Sequence, residues 1–315
     1  TGNAIWFDDA VEKAGPDVLR WLYAASPPVN PLRFGFHVTQ ETARRLLSLW
    51  NTYEFYKTYA SIDQPEISQE ISPDEDFSRL DKWILSRLNR LIQSSRHSMD
   101  QQDTHSVVRE VEAFMEELSN WYIRRNRRRF WRAEMNANKQ AAYSTLSHVI
   151  FQICKLCAPI IPFGTEAIYQ DILRSDGWPE SIHLCYYPEP REKWIDEKLE
   201  KEVALAREVA SLGLSSRNAT KIKVRQPLAC LYVVTSEENF KSILAHEDDL
   251  KEELNVKKLE RAGDLSRFAS VTVKPNFAGI KDHHGGQAVG PIRAALSQAD
   301  DNEVAAAIEK QGQYT

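Results

Sequence analysis

The residues best suited to chemistry in this sequence are six closely spaced arginines between positions 124 and 132. They are Arg124, Arg125, Arg127, Arg128, Arg129 and Arg132, with aromatic residues on both sides. A guanidinium binds a phosphate through two parallel hydrogen bonds, and the ring of Trp131, Phe130 or Tyr122 is able to stack on an unpaired base. The segment therefore predicts nucleic-acid binding, with Trp131 as our candidate for contact with a base.

The arginines continue the apolar stripe of a predicted helix. The stripe from Phe114 to Trp121 leads, in the same phase, to Arg125, Arg128 and Arg132. Because an unpaired guanidinium is costly to bury, this face must leave the core or meet an anion. Two purely structural roles stay open for the arginines: stabilisation of the helix dipole, worth about 0.3–1 kcal/mol per exposed arginine, and pairing with nearby glutamates. Trp121, on the stripe, is predicted to be a core residue.

A second basic feature lies at Lys221, Lys223 and Arg225, which alternate with two apolar residues. Alternation predicts a strand with one cationic face, and Pro227 restricts that strand to an edge. Such a face suits contact with phosphates. Equally, it suits a solvated edge whose lysines prevent aggregation.

Other reactive residues do not form a recognisable site. Cys154 and Cys157 form a CxxC within a predicted apolar helix, where buried thiols are expected, since zinc requires four converging ligands. The pair His283 and His284 is interpreted as a turn. We find no phosphate loop, dinucleotide fingerprint, zinc-protease motif or nucleophile elbow. We therefore predict no catalytic residue, no metal site and no cofactor for these 315 residues.

Composition is that of a globular protein of about two domains, with 42% hydrophobic and 27% charged residues. The net charge is −5, yet the segment from Phe77 to Ser175 holds 15 Lys+Arg against 10 Asp+Glu. A basic region in an acidic chain suits a polyanionic partner, although salt-bridged helix faces account for it as well. No apolar run reaches the length of a membrane span, and no signal peptide begins the chain, so we expect a cytoplasmic protein without membrane contact.

Periodicity places these features on a mainly α fold, an antiparallel helical bundle followed by a small α+β domain. Residues 1–35 are predicted to be a linker of short helices, 36–180 the bundle and 181–315 the α+β domain. The bundle helices are predicted at 39–62, 80–99, 104 to the arginines, 138–159 and 163–173. In the last domain we predict strands at 182–187, 221–225, 228–234, 256–259 and 271–273, and helices at 196–217, 289–296 and 304–310.

The segment Asn120–Trp131, NWYIRRNRRRFW, closely resembles the signature of the anticodon-binding domain of isoleucyl-tRNA synthetases. Further segments resemble the same family in the same order, and the similarity covers nearly the whole chain. They are Thr1–Asn3 and Gly15–Pro27 (resembling the residues that follow the KMSKS loop), Leu156–Phe163 with Glu166, Val224–Leu228, Glu253–Lys257 and Val273–Phe277. A terminal four-cysteine zinc module, present in many bacterial members, is not found in this sequence.

The resemblance implies a parent enzyme that uses ATP and Mg to join isoleucine to its tRNA, with the catalytic motifs lying outside these residues. The bundle would bind the anticodon stem-loop of isoleucine tRNA. Residues 1–35 would contact the catalytic domain of the same chain. The tRNA contacts would come from the six arginines and Trp131, with Lys221, Lys223 and Arg225 as a second rim. Valyl- or leucyl-tRNA synthetase, or a helical scaffold that docks other proteins, are the alternatives.

Overall fold

A computed structural model describes residues 5–27, 29–32, 34–68, 70–73, 76–263, 274–277, 280, 285–301, 303–304 and 307–308. Contacts within the chain divide it into two compact units, 1–203 and 204–315. Helices dominate the described residues, which confirms the predicted mainly α class. In the described part of the chain, no helix is both long and apolar enough to cross a membrane.

The first unit is a helical bundle, and its segments follow the periodicity of the sequence. Its helices are α1 (Phe7–Ala14), α2 (Pro16–Ala24), α3 (Phe36–Asp63), α4 (Arg79–Asp100), α5 (Thr104–Glu117), α6 (Arg124–Trp131), α7 (Ala137–Cys157) and α8 (Pro162–Ile168). A π-helical turn, Leu118–Ile123, joins α5 to α6, and a second one, Tyr169–Leu173, follows α8. The prediction of a strand at 182–187 is wrong, because Ile182–Leu184 forms a 3₁₀ turn.

Side-chain caps set several helix starts. Ser78 and Asp81 form a reciprocal capping box at α4, and Asn136 accepts a hydrogen bond from the Lys139 amide at α7. Asp103 caps α5 by accepting from the Ser106 amide at 3.1 Å. These residues satisfy amides that have no partner inside the helix.

The core of the first unit lies where α7 packs against α3 and α4. Leu146, Val149 and Ile153 on α7 and Ile84 and Leu88 on α4 have no exposed surface. Burying each such side chain stabilises the fold by about 1.5–3 kcal/mol. This apolar contact holds the helices that carry the candidate site.

An ion pair fastens the end of α3 to the start of α7. The Lys139 ammonium lies 2.6 Å from the Asp63 carboxylate, and Tyr143 donates to the same carboxylate. Burial raises the pKa of Asp63, but the hydrogen bonds from Lys139 and Tyr143 outweigh burial, so the pKa lies below its ordinary value. The charged carboxylate is thus the form that stabilises this junction.

A second junction joins α2 to the chain between α7 and α8. Arg20 donates to the carbonyls of Pro159 (2.8 Å) and Ile160 (2.7 Å). Asp17 accepts from the Gly164 amide at 2.6 Å, at the N-terminus of α8. A Cβ at Gly164 would lie 3.1 Å from the Asp17 carboxylate, so the absence of a side chain permits this close approach. Two of the segments that carry the family resemblance therefore form one contact.

In the second unit, a helix that begins in the first unit, α9 (Glu197–Ala219), leads to a small parallel sheet. The other elements are β1 (Leu231–Val234), α10 (Glu237–Leu244), α11 (Glu247–Leu254), β2 (Leu259–Ala262) and α12 (Val289–Gln298). Leu231 pairs with Leu259 and Val234 with Ala262. The parallel pairing requires a crossover, which α10 and α11 supply.

The predicted strands of this unit are only partly confirmed. The segment 228–234 is a strand only from Leu231, while Leu228 forms an isolated bridge to Val256, and the next strand lies at 259–262 rather than 256–259. The predicted strand at 271–273 and the turn at His283 and His284 lie outside the described residues, as do parts of the predicted helix at 304–310.

Candidate nucleic-acid interface

The π-helical turn at Leu118–Ile123 decides which arginines face solvent. A π turn inserts one extra residue, which rotates everything after it by about 100° around the helix. The core face therefore passes to Asn126 and Phe130, which are 3% and 1% exposed. The prediction that the core face becomes arginine is wrong in phase: Arg128 and Arg132 are exposed, and Arg125 is half-buried.

Arg129 is the arginine that points inward, and it meets an anion there. Its guanidinium lies 2.8 Å from the carboxylate of Asp81, a residue with no exposed surface. Tyr122 donates to the same carboxylate at 2.6 Å, while Arg129 also donates to Asn126 (2.8 Å) and Ser78 (3.2 Å). Burial lowers the pKa of Arg129, but the hydrogen bond and charge of Asp81 outweigh it and raise the pKa, so the guanidinium stays charged.

Arg129 also reaches the chain that follows α6. It donates to the side chain of Asn138 at 3.0 Å and to the backbone carbonyl of the same residue at 2.5 Å. Asp81 therefore joins three elements through one guanidinium: the start of α4, the helix α6, and the start of α7. The network fixes α6 against the bundle.

The other arginines of the block lie on the outer side of α6. Arg124, Arg127, Arg128 and Arg132 are exposed, and Arg125 lies over the ring of Trp121 at 5.6 Å. Trp121 is 6% exposed, which confirms its prediction as a core residue. The fixed helix thus presents three exposed arginines, and Arg132, the residue directly after it, is a fourth.

Two glutamates near the block also form contacts away from it. Glu112 accepts from Trp21 and pairs with Arg45, and Glu117 pairs with Arg87 at 2.9 Å. The carboxylate that pairs with Arg129 comes from another helix. Proximity in the sequence therefore did not identify the acidic partner.

Of the three aromatic residues proposed for stacking, only Trp131 is exposed, at 58%. Tyr122 is buried against Asp81, and Phe130 packs edge-on between Phe55 (5.1 Å) and Tyr143 (5.0 Å). The Trp131 indole N–H donates to the Tyr59 hydroxyl at 2.6 Å. Trp131 therefore offers an aromatic surface to solvent, and Tyr59 restrains the orientation of its ring.

The second basic feature belongs to the other unit. Lys221, Lys223 and Arg225 are exposed, as predicted, but the segment Lys221–Pro227 is a succession of turns rather than an edge strand. We call this segment the basic loop. The Asn255 side chain donates to its Val224 carbonyl at 2.9 Å, so that group is not available to a neighbouring strand.

The thiols of Cys154 and Cys157 are buried in α7, at 0% and 1% exposure. Burial raises the pKa of Cys154 well above its ordinary value and that of Cys157 to about 12. Both are inert protonated thiols at neutral pH. Among the described residues, His, Cys, Asp and Glu form no cluster of three or more suited to a metal ion.

Residues 81–234 match the family model described as the anticodon-binding domain of tRNA ligase. This match includes α6 and the basic loop, and it gives the class to which this helical domain belongs.

Curated relatives narrow the assignment. The isoleucine–tRNA ligase of Clostridium novyi is 41% identical to 96% of this chain, and that of Clostridium acetobutylicum is 39% identical to 96%. That of Clostridium kluyveri is 36% identical to 98% of the chain. The chain spans about 29% of the length of the first of these relatives. It belongs to the isoleucine–tRNA ligase family and corresponds to the part that contains the anticodon-binding domain.

Among solved structures, the LeuRS–tRNA–LeuAMS ternary complex of Agrobacterium radiobacter K84 superimposes with a TM-score of 0.49 at 12% identity. The alignment covers 82% of this chain and 30% of the other.

Sequence reasoning missed Asp81, Asn126 and Tyr59, the residues that position the candidate interface. The pattern Ser78-x-x-Asp81 was available as a sign of a helix start. Nothing in the sequence assigned the same carboxylate to an arginine 48 positions later.

Proposed function

We propose that the helical unit binds the anticodon stem-loop of isoleucine tRNA. The observation that carries this proposal is the set of exposed guanidiniums on α6, a helix fixed by the Arg129–Asp81 pair, in a chain of this ligase family. Arg124, Arg127, Arg128 and Arg132 contact phosphates, with Arg125 at the edge of the same surface. Arg129 belongs to the interface through its position in the helix and not as a phosphate contact.

Trp131 is the proposed base contact. An exposed indole held by Tyr59 offers a preformed surface on which a base from the single-stranded loop stacks. Lys221, Lys223 and Arg225 of the basic loop form a second group of phosphate contacts. Each of these cations is exposed.

The whole protein, by this proposal, joins isoleucine to its tRNA in the cytoplasm, with ATP and Mg²⁺ bound by parts of the protein other than these residues. Residues 1–35 transmit the position of the bound tRNA to the catalytic domain of the same chain. The division into a linker (1–35), a bundle (36–180) and an α+β domain (181–315) remains part of the proposal.

Salt-dependent binding of an isoleucine tRNA transcript tests the interface. Each lost phosphate contact reduces the slope of log K against log salt by about 0.7–0.9. We expect Arg127→Glu to lower affinity and reduce the slope, while Arg44→Glu, the same charge change at an exposed site on α3, leaves the slope unchanged. An unchanged slope and affinity in Arg127→Glu and Arg132→Glu would refute the assignment.

Specificity is tested with the same protein and transcripts for isoleucine, valine and leucine. We expect tightest binding of the isoleucine transcript. Equal binding of all three would leave the phosphate contacts intact and refute the proposed reading of the anticodon. A protein without measurable RNA affinity at low salt would favour the scaffold alternative instead.

A further inference from the structure

Arg217, near the end of α9, is a buried cation surrounded by backbone carbonyls. Only 4% of the residue is exposed. One terminal nitrogen donates to the carbonyls of Lys223 (3.2 Å) and Gln226 (3.1 Å), and the other donates to those of Leu254 (2.6 Å) and Asn255 (3.2 Å). The guanidinium therefore connects α9 with the basic loop and with the end of α11.

Such an arrangement uses the geometry of arginine. The two terminal nitrogens of the planar group present donors in fixed directions, so one side chain serves four acceptors on two segments. Within the described residues, no carboxylate forms an ion pair with Arg217. Its charge is compensated by carbonyl dipoles alone, which ties the position of those carbonyls to the presence of the guanidinium.

Asn255 completes the attachment of the basic loop. It adopts the left-handed conformation, with φ of 47°, and its side chain donates to the Val224 carbonyl at 2.9 Å. The carbonyls of Lys223, Val224 and Gln226 are thereby all engaged by donors from outside the loop. The side chains of Lys221, Lys223 and Arg225 remain exposed.

We infer that Arg217 is the positioning residue that holds the basic loop in the arrangement that binds tRNA phosphates. The inference rests on the proposed function and explains what holds the basic loop in its conformation. A loop already fixed loses less conformational entropy when it binds, so its three cations bind a polyanion more tightly than the same cations on an unrestrained segment. Arg217 itself, being buried, contacts no phosphate.

Limited trypsin digestion of the full-length protein tests the positioning role without RNA. Trypsin cleaves after Lys221, Lys223 and Arg225, so the rate of cleavage at these sites measures how firmly the basic loop is held. We expect Arg217→Met to accelerate cleavage at these sites at least tenfold, and Arg217→Lys to do so less. Lys201→Met, which removes an exposed cation from the same helix, serves as the control and leaves the rate unchanged.

A second, less disruptive variant keeps the test valid if Arg217→Met does not fold. Asn255→Gly keeps a residue suited to positive φ but removes the donor to Val224. We expect faster cleavage in the basic loop while the thermal transition stays close to that of the native protein. Unchanged cleavage in both Arg217→Met and Asn255→Gly would overturn the inference.

Binding of the isoleucine tRNA transcript then connects the loop to function. Replacing Lys221, Lys223 and Arg225 together with alanine should reduce the salt slope by about 2–3, that is, by three phosphate contacts. Arg217→Met should reduce it in the same direction. Combining the two changes should add little, because cations on an unrestrained loop are already ineffective.

Two outcomes contradict the inference separately from the proposed function. Additive losses in the combined variant would show that Arg217 acts independently of the loop cations. No loss in the triple variant, alongside a reduced slope in Arg127→Glu, would overturn the role of the basic loop and leave the α6 interface standing. Wild-type binding in both the triple variant and Arg127→Glu would refute the proposed function as a whole.

Discussion

Arg129→Met removes a guanidinium of α6 that pairs with a fully buried carboxylate, that of Asp81. Breaking a buried ion pair by deleting one member costs about 3–5 kcal/mol, because the remaining charge is left without compensation. The Asp81 carboxylate would keep hydrogen bonds from Tyr122 (2.6 Å) and the Ser78 amide (2.8 Å). We therefore expect the lower end of the range, about 3 kcal/mol, which corresponds to a change of roughly 150-fold in an opening equilibrium.

Hydrogen exchange of the full-length protein measures this loss locally. Amides of α6 and of the first turns of α4 should exchange about 150-fold faster in Arg129→Met, since opening of the Asp81 network exposes both. Arg127→Met, an exposed neighbour on the same helix, is the matched control. It should change stability by less than about 0.5 kcal/mol.

The double variant Asp81→Asn with Arg129→Met checks the cause. With the carboxylate neutralised, no buried charge remains, so the loss should be smaller than the sum of the two single variants. Exchange in Arg129→Met that matches Arg127→Met would refute the assignment of Arg129 as the anchor of α6.

Three further predictions concern single contacts. Burial raises the pKa of Asp63, but the hydrogen bond from Lys139 outweighs burial and leaves the pKa below its ordinary value. The ionised Asp63 therefore stabilises the folded protein at pH values above its unfolded pKa of about 3.9. This stabilisation is lost as the pH falls through the lower pKa of the folded state. The difference in melting temperature between native protein and Asp63→Asn should therefore shrink towards pH 3. Asp17→Ala removes the acceptor at the start of α8 and should destabilise the protein by about 1 kcal/mol in denaturant titrations, whereas no change would show that the contact is weak. Trp131→Ala should weaken tRNA binding by about 1–3 kcal/mol without changing the salt slope, and Tyr59→Phe, which removes the indole acceptor, should do so less; a reduced slope would assign Trp131 to a different role.

The local sequence pattern was sufficient to predict most helices of the bundle. The helices α4, α5 and α7 lie close to their predicted ranges, because an apolar stripe at helical spacing and a polar break are both local signals. The helix α3 begins at Phe36, three residues before its predicted start at 39, a difference typical of helix ends.

The local sequence pattern could not reveal the helical phase of the arginines or the partners of the buried ones. The π turn at Leu118–Ile123 contains no glycine or proline that would mark an irregular turn, so an uninterrupted period of 3.6 placed Arg128 rather than Arg129 near the core. The alternation at Lys221–Arg225 predicted a strand, but the side chains of Arg217 and Asn255 donate to carbonyls that a strand would pair. Asn255 lies 31 positions after Val224, so the sequence pattern around the basic loop could not reveal this contact.

Arg129 and Arg217 also show why counting arginines does not identify a nucleic-acid surface. Both are chemically suited to phosphate, yet one binds a carboxylate and the other four carbonyls inside the protein. Each fixes a segment in which most of the remaining cations are exposed. A charge scan that ranked all arginines equally would assign losses at these two positions to missing phosphate contacts. Stability and loop order distinguish them, because substitution of a buried positioning arginine changes the folded segment before any tRNA is added.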